Sequence, residues 1–144
     1  MLLMGAAFSA MMLAAAVETP VVVVEGADSP VKIGRATVIT VTGDPPVLLY
    51  AATNQTDNDL EQFTVMVFMF DAKGILRTEQ IAPGRRTLEA KSTKYSAMVL
   101  DADTIDPAGY IVIGVNQAQR LNSDVWWRAE LRPAAQAAVL KKKP

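Results

Sequence analysis

Between Phe63 and Phe70 the sequence reads FTVMVFMF, and Thr64 is the one polar residue in the run. On an extended backbone Phe63, Val65, Val67 and Met69 point to one side, and Thr64, Met66, Phe68 and Phe70 to the other. The run is far short of the roughly 20 apolar residues a helix needs to cross a bilayer. Its aromatic and β-branched content predicts a strand instead, and Asp71-Ala72-Lys73-Gly74 predicts the hairpin turn that ends it, with Gly74 supplying positive φ. A strand that is apolar on both faces has to be covered on both. One face belongs to the core. On the other, burying each large side chain is worth roughly 1.5–3 kcal/mol, so leaving Met66, Phe68 and Phe70 wet forfeits several. Two covers are open. The chain can fold its own Ala-rich C-terminal segment or its valine run over this face, or a partner or second copy can occupy it. Met66, Phe68 and Phe70 are therefore candidate partner-contact residues.

The rest of the chain is punctuated in the same style. Val21–Val24, Ala36–Val41, Val47–Asn54, Ile75–Gln80, Ser96–Ala102, Tyr110–Gln119 and Val125–Leu131 read as strands. They are separated by turn clusters at 26–30, 42–46, 55–59, 81–85, 101–109 and 121–124. Pro133 opens PAAQAAVLKKK, which fits a short helix with Pro in its first turn and lysines at its negative end. The fold expectation is all-β: an immunoglobulin-like antiparallel β-sandwich of about seven or eight strands, with an N-terminal signal segment and a short C-terminal helical tail. A small barrel is the alternative. The expected divisions are 1–16 as signal segment, 17–132 as sandwich and 133–144 as tail.

The segment MLLMGAAFSAMMLAAAV carries no charge before Glu18. Its length suits a signal-peptide apolar region, Ala14-Ala15-Ala16 offers a cleavage site, and Val17 would then lead the mature chain. An uncleaved anchor is the alternative, and it is the one route to a membrane. The expected location is secreted or periplasmic.

The chain has no cysteine and no histidine. That removes disulfides, thiol nucleophiles, imidazole or thiolate zinc sites and any Ser/His or Cys/His pair. With 14 basic and 15 acidic residues and a formal net charge of −1, no field draws in nucleic acid, and Lys141–Lys143 reads as a solvated tail. Asp57, Asp59 and Glu61, and Asp101, Asp103 and Asp106, could offer oxygens to calcium but lack EF-hand spacing, and read as loop carboxylates. Ser29-Pro30-Val31-Lys32 matches a Ser-x-x-Lys pattern in a turn with no companion motif. Asn54-Gln55-Thr56 fits a glycosylation sequon, and fits better an Asx-type turn. No catalytic residue, metal or cofactor is expected, and the chain is not expected to be an enzyme. Trp126 and Trp127 face opposite ways on a strand, one into the core and one outward. An outward Trp could stack on a sugar or anchor a protein partner.

The segment AATNQTDNDLEQFTVMVFMFDAKGILRTEQIAPGRRTLEAKSTKYSAMVL combines Asn-x-Thr, a polar loop, an apolar strand, Phe-Asp-x-x-Gly and a later Pro-Gly loop. It resembles the FxLYD-type and related immunoglobulin-like domains of exported bacterial proteins. Asp71 matches the name-giving motif, with Phe70 where Tyr is expected and Met69 where Leu is expected. The likeness runs over roughly residues 47–131, including the closing strand–turn–Trp-Arg pattern. It implies an extracytoplasmic accessory or binding module with no catalytic residues to carry over. The functional expectation is a non-enzymatic module making protein–protein contacts in an envelope assembly through Met66, Phe68, Phe70, Trp126 or Trp127, or through strand-edge pairing. The alternative is a carbohydrate-binding module that uses a surface Trp.

Overall fold

The computed structural model describes residues 16–84, 87–101, 103 and 105–143. Nine strands and one helix follow in order: β1 (Val17–Pro20), β2 (Val22–Val23), β3 (Val31–Thr40), β4 (Val47–Asn54), β5 (Leu60–Phe70), β6 (Leu76–Gly84), β7 (Thr93–Val99), β8 (Tyr110–Arg120), β9 (Val125–Arg128) and α1 (Arg132–Lys142). The expected signal segment lies outside the described residues, apart from Ala16.

Two sheets form. One has the order β1-β3-β4-β7, and the other β2-β8-β5-β6 with β9 also on β8. Every pairing is antiparallel except the short β2 on β8. With β3 taken as the first strand, the sheets read A-B-E and G-F-C-C′, the immunoglobulin-like sandwich order. The N-terminal chain adds β1 to one sheet, then crosses at Val21 to add β2 to the other.

Alternation within the strands decides what meets between the sheets. Leu48, Tyr50 and Ala52 of β4 point inward against Phe63, Val65, Val67 and Met69 of β5 and Ile111, Ile113 and Val115 of β8. The strand β3 starts earlier than its β-branched run suggested. Val31 and Ile33 are already buried in alternation with exposed Lys32 and Gly34, and a bulge between Ile33 and Arg35 resets the register. The loop expected at 81–85 is also corrected, because β6 continues to Gly84 with Pro83 opposite Thr64. Pro is tolerated there because β6 is an edge strand with no further neighbour to receive its missing amide.

A second core lies outside the sandwich. Phe68, Phe70 and Val112 are roofed by Leu131, Ala135 and Val139, with Val22, Val24 and Leu76 alongside. Leu131, Ala135 and Val139 recur every four residues, so they form one stripe on α1. The helix has Pro133 in its first turn and Lys141 and Lys142 in its last. Arg132 ties it to β6 through Glu79 at 2.5 Å. Gly114 makes the close approach possible: a Cβ there would meet Leu131 Cδ1 at 2.7 Å and the Val24 carbonyl at 2.9 Å.

The β5–β6 turn is organised by Asp71. Its Oδ1 accepts the amides of Lys73 (2.9 Å) and Ile75 (3.0 Å), and its Oδ2 accepts Arg77 Nε at 2.8 Å. Gly74 takes φ +81°, the left-handed conformation its type permits. The Ile75 amide above all, with Arg77 and Lys73 adding and burial opposing, holds the Asp71 carboxyl below its ordinary value. A carboxyl with a depressed folded pKa stabilises fully above its unfolded value, about 3.9, and loses that contribution as pH falls through the folded value. Asp71→Asn is therefore expected to lower the thermal midpoint at neutral pH and to narrow its gap to the wild type on acidification. A constant gap between the two proteins across an acid pH series would show that the turn does not depend on the ionised carboxylate.

Candidate functional site

The Met66/Phe68/Phe70 face is occupied from within the chain. Phe68 is 1% exposed and Phe70 is 2% exposed, beneath α1. The partner contact expected at these residues is corrected on that ground, because the helix and the valine segment already exclude water there. Met66 is half-buried at the margin of this cover, and its cross-strand neighbour Ile81 is exposed.

Trp127 packs against the inter-sheet core, and its indole N–H donates to the Ala27 carbonyl at 3.1 Å. Trp126 is 36% exposed, but the Arg120 guanidinium sits 4.5 Å from its ring centroid. A cation so placed stabilises the ring's position and occupies one of the two faces that a sugar would stack on.

The carboxylates expected in the loops have structural work. Asp59 accepts the Ala90 amide, Asp106 accepts the amides of Ala72 and Ala108, Asp101 accepts that of Asp103, and Glu61 accepts Gln119. Among the described residues no three acidic groups converge as a metal site would need. Ser29 Oγ donates to the Val31 carbonyl at 2.7 Å, so its hydroxyl serves its own turn. Asn54 is fully buried. Its Oδ1 accepts the Thr56 amide, and its Nδ2 donates to the Asn58 and Leu88 carbonyls, which makes this segment an Asx-type turn.

The apolar surface that stays uncovered is on the other sheet. Because Leu48, Tyr50 and Ala52 point inward, Val47, Leu49, Ala51 and Thr53 point out, with Ala51 buried beneath its larger neighbours. Pairing lines them up with their neighbours in rows: Ile39, Val47 and Val99; then Thr37, Leu49 and Ala97; then Arg35, Ala51 and Tyr95. Glu18 and Pro20 of β1 extend the first two rows. Leu49 is 37% exposed, Val99 59% and Tyr95 77%. An open trough of about 690 Å³ crosses this face, lined by Glu18, Pro20, Arg35, Leu49, Ala51 and Tyr95 among others. A smaller groove of about 460 Å³ opens at the end of the sandwich between the β3–β4 turn and residues 105–109, with Val38, Pro46 and Ile111 in its wall.

Neither Glu18 nor Arg35 has an ion-pair or hydrogen-bond partner among the described residues, although both line the trough. An apolar strip with an unpaired charge of each sign at its ends can bind a complementary surface. The sequence marks this face poorly, because Val47/Leu49/Ala51 and Leu48/Tyr50/Ala52 of β4 are all apolar and no polar alternation separates its outer side from its inner. What could not be read is whether the helix or a partner would cover the β5 face, and so which surface stays open.

The sheet edges at β7 and β6 are poor docking sites. Lys94 on β7 turns inward at the edge and donates to the Thr87 carbonyl, and β6 carries Pro83. Both are devices that discourage an added strand. No helix among the described residues is long and apolar enough to cross a membrane.

No family model matches the chain, and no curated protein does. The solved structure of the Salmonella enterica trimeric lipoprotein SadB is similar at a TM-score of 0.42 and 12% identity, over 79% of this chain and 65% of that chain.

Proposed function

We propose that this protein is a non-enzymatic, exported contact module that binds a protein surface through the outer face of the β1-β3-β4-β7 sheet. One observation carries the reading: the chain spends a helix on covering one apolar sheet face and leaves the other, with Leu49, Tyr95 and Val99, open. A face left uncovered in a chain that covers its counterpart fits an interaction site, since contiguous exposed apolar surface on soluble proteins marks contact surfaces. The uncharged apolar segment before Glu18 supports export, and the resemblance to immunoglobulin-like domains of exported bacterial proteins supports an envelope assembly as the setting.

A photo-crosslinking phenylalanine analogue placed at Tyr95, in cells that make the protein, is expected to give discrete adducts. The same group at Ile75, exposed in the β5–β6 turn, is expected to give none. Adding Leu49→Lys and Val99→Lys should abolish the Tyr95 adducts and leave the thermal midpoint within about 5 °C, because each exposed substitution changes stability by about 0.5 kcal/mol or less. Equal adducts at Tyr95 and Ile75, or none at Tyr95, would remove the basis for this contact face.

A further inference from the structure

We propose that the partner of this face is a second copy of the same chain, packed sheet against sheet about a two-fold axis that runs across the strands at the level of Thr37 and Leu49. This rests on the reading of the face as a contact surface, and it adds the identity of the occupant.

The pattern on the face is self-complementary. Glu18 is level with Ile39, and Arg35 lies four residues further along the same strand, so about 13 Å separates their levels. Thr37 and Leu49 form the row midway between them. In an interface with two-fold symmetry residue i of one copy meets residue j of the other, and j meets i. An axis on the middle row therefore brings the Glu18 row of each copy over the Arg35 row of the other, and two carboxylate–guanidinium pairs form from charges that have no partner among the described residues.

The apolar rows fit the same operation. Val47 comes over Ala51 of the second copy, Val99 over Tyr95, and Leu49 over Leu49. Large side chains then face small or flat ones, as interdigitated sheet packing requires. A face-to-face contact also leaves the edges of β6 and β7 alone, in keeping with the features that discourage strand addition there. A partner of unrelated sequence would not require Glu18 and Arg35, the charges that line the trough, to be opposite in sign and symmetric about its apolar centre.

The test is light scattering coupled to size exclusion on the full chain over a concentration series, with Glu18→Arg, Arg35→Glu and both together. Both side chains are exposed, so each variant is expected to keep the wild-type thermal midpoint. The wild type should be a concentration-dependent dimer. Each single variant puts like charges together twice and should weaken the dimer at least about tenfold. The double variant should restore it. Mixing the two single variants should give a one-to-one heterodimer, because one copy then carries both positive charges and the other both negative. A monomeric wild type, a dimer insensitive to these charges, or single variants that fail to rescue each other would overturn the second-copy assignment. Tyr95 adducts to a different polypeptide would then keep the contact reading, and absence of any Tyr95 adduct would end both.

Discussion

Phe68→Lys is expected to unfold the protein, not to dissociate an assembly. The side chain is 1% exposed, between the outer face of β5 and the Leu131/Ala135/Val139 stripe of α1. Losing a buried Phe costs about 3–5 kcal/mol through transfer and cavity terms. An ammonium in the same place would lie among apolar side chains, with the cross-strand Glu79 carboxylate already engaged by Arg132, and burying it there costs several kcal/mol more. The sum is comparable with the whole stability of a domain this size, about 5–15 kcal/mol. Urea unfolding followed by far-UV circular dichroism should show a collapsed midpoint or no folded baseline. Ile81→Lys is the control. It lies on the same side of the same sheet, cross-strand from Met66, but is 56% exposed, and should shift stability by no more than about 0.5 kcal/mol. A Phe68→Lys protein with a wild-type midpoint would mean that α1 does not cover this face in solution.

The second large effect is expected at Asn54. Its amide is the junction of three segments: it accepts the Thr56 amide and hydroxyl, and donates to the Asn58 carbonyl and, across the fold, to the Leu88 carbonyl. Leu88 is in turn bridged to Leu60 at the start of β5. Asn54→Ala leaves buried polar groups without their partner, at about 1–3 kcal/mol for each one that water does not reach, so a loss of roughly 2–4 kcal/mol is expected. Asn54→Asp separates the contributions. It keeps the acceptor for Thr56 but turns the donor into a buried carboxylate facing two carbonyl oxygens. That group's folded pKa must lie above its unfolded value, so its destabilisation is full at neutral pH and eases as pH falls below the raised value. Urea midpoints at about pH 7 and about pH 4.5 should therefore bring Asn54→Asp closer to wild type in acid. A gap between the two that does not shrink in acid would mean that the site is wet and the Asn54 amide is not the junction described here. The same burial keeps the sequon asparagine out of reach of any glycosylating enzyme in the folded state.

Much of the local structure was legible because local signals are strong where one strand face is buried. The stretch 47–54 is an apolar run punctuated on both sides, and it forms a strand with those bounds. The turn at 71–74 follows from Asp and Gly chemistry at fixed offsets. The helix begins one residue before Pro133, as the first-turn preference of Pro implies. Reading failed where the signal was cross-strand. Lys32, Gly34 and Arg35 conceal the first half of β3, whose strand character depends on Val31 and Ile33 reaching the opposite sheet. Pro83 reads as loop until it is known to lie on a free edge.

The same division governs the candidate site. Composition alone removed thiol, imidazole and strong-field chemistry, and the two-faced run at Phe63–Phe70 required a cover on both sides of one strand. Those are properties of residue type and period, and they hold whatever the fold. Which surface is left open is decided by long-range packing. Gly114 and Ala135 are small where the helix must come close, and Arg132 meets Glu79 from 53 residues away, so α1 settles on β5 and β8. The outer face of β3, β4 and β7 then remains to meet a partner. The two-faced run of β5 called for a cover, but that the cover is α1 and not a partner lies in the fit of a distant helix to that face.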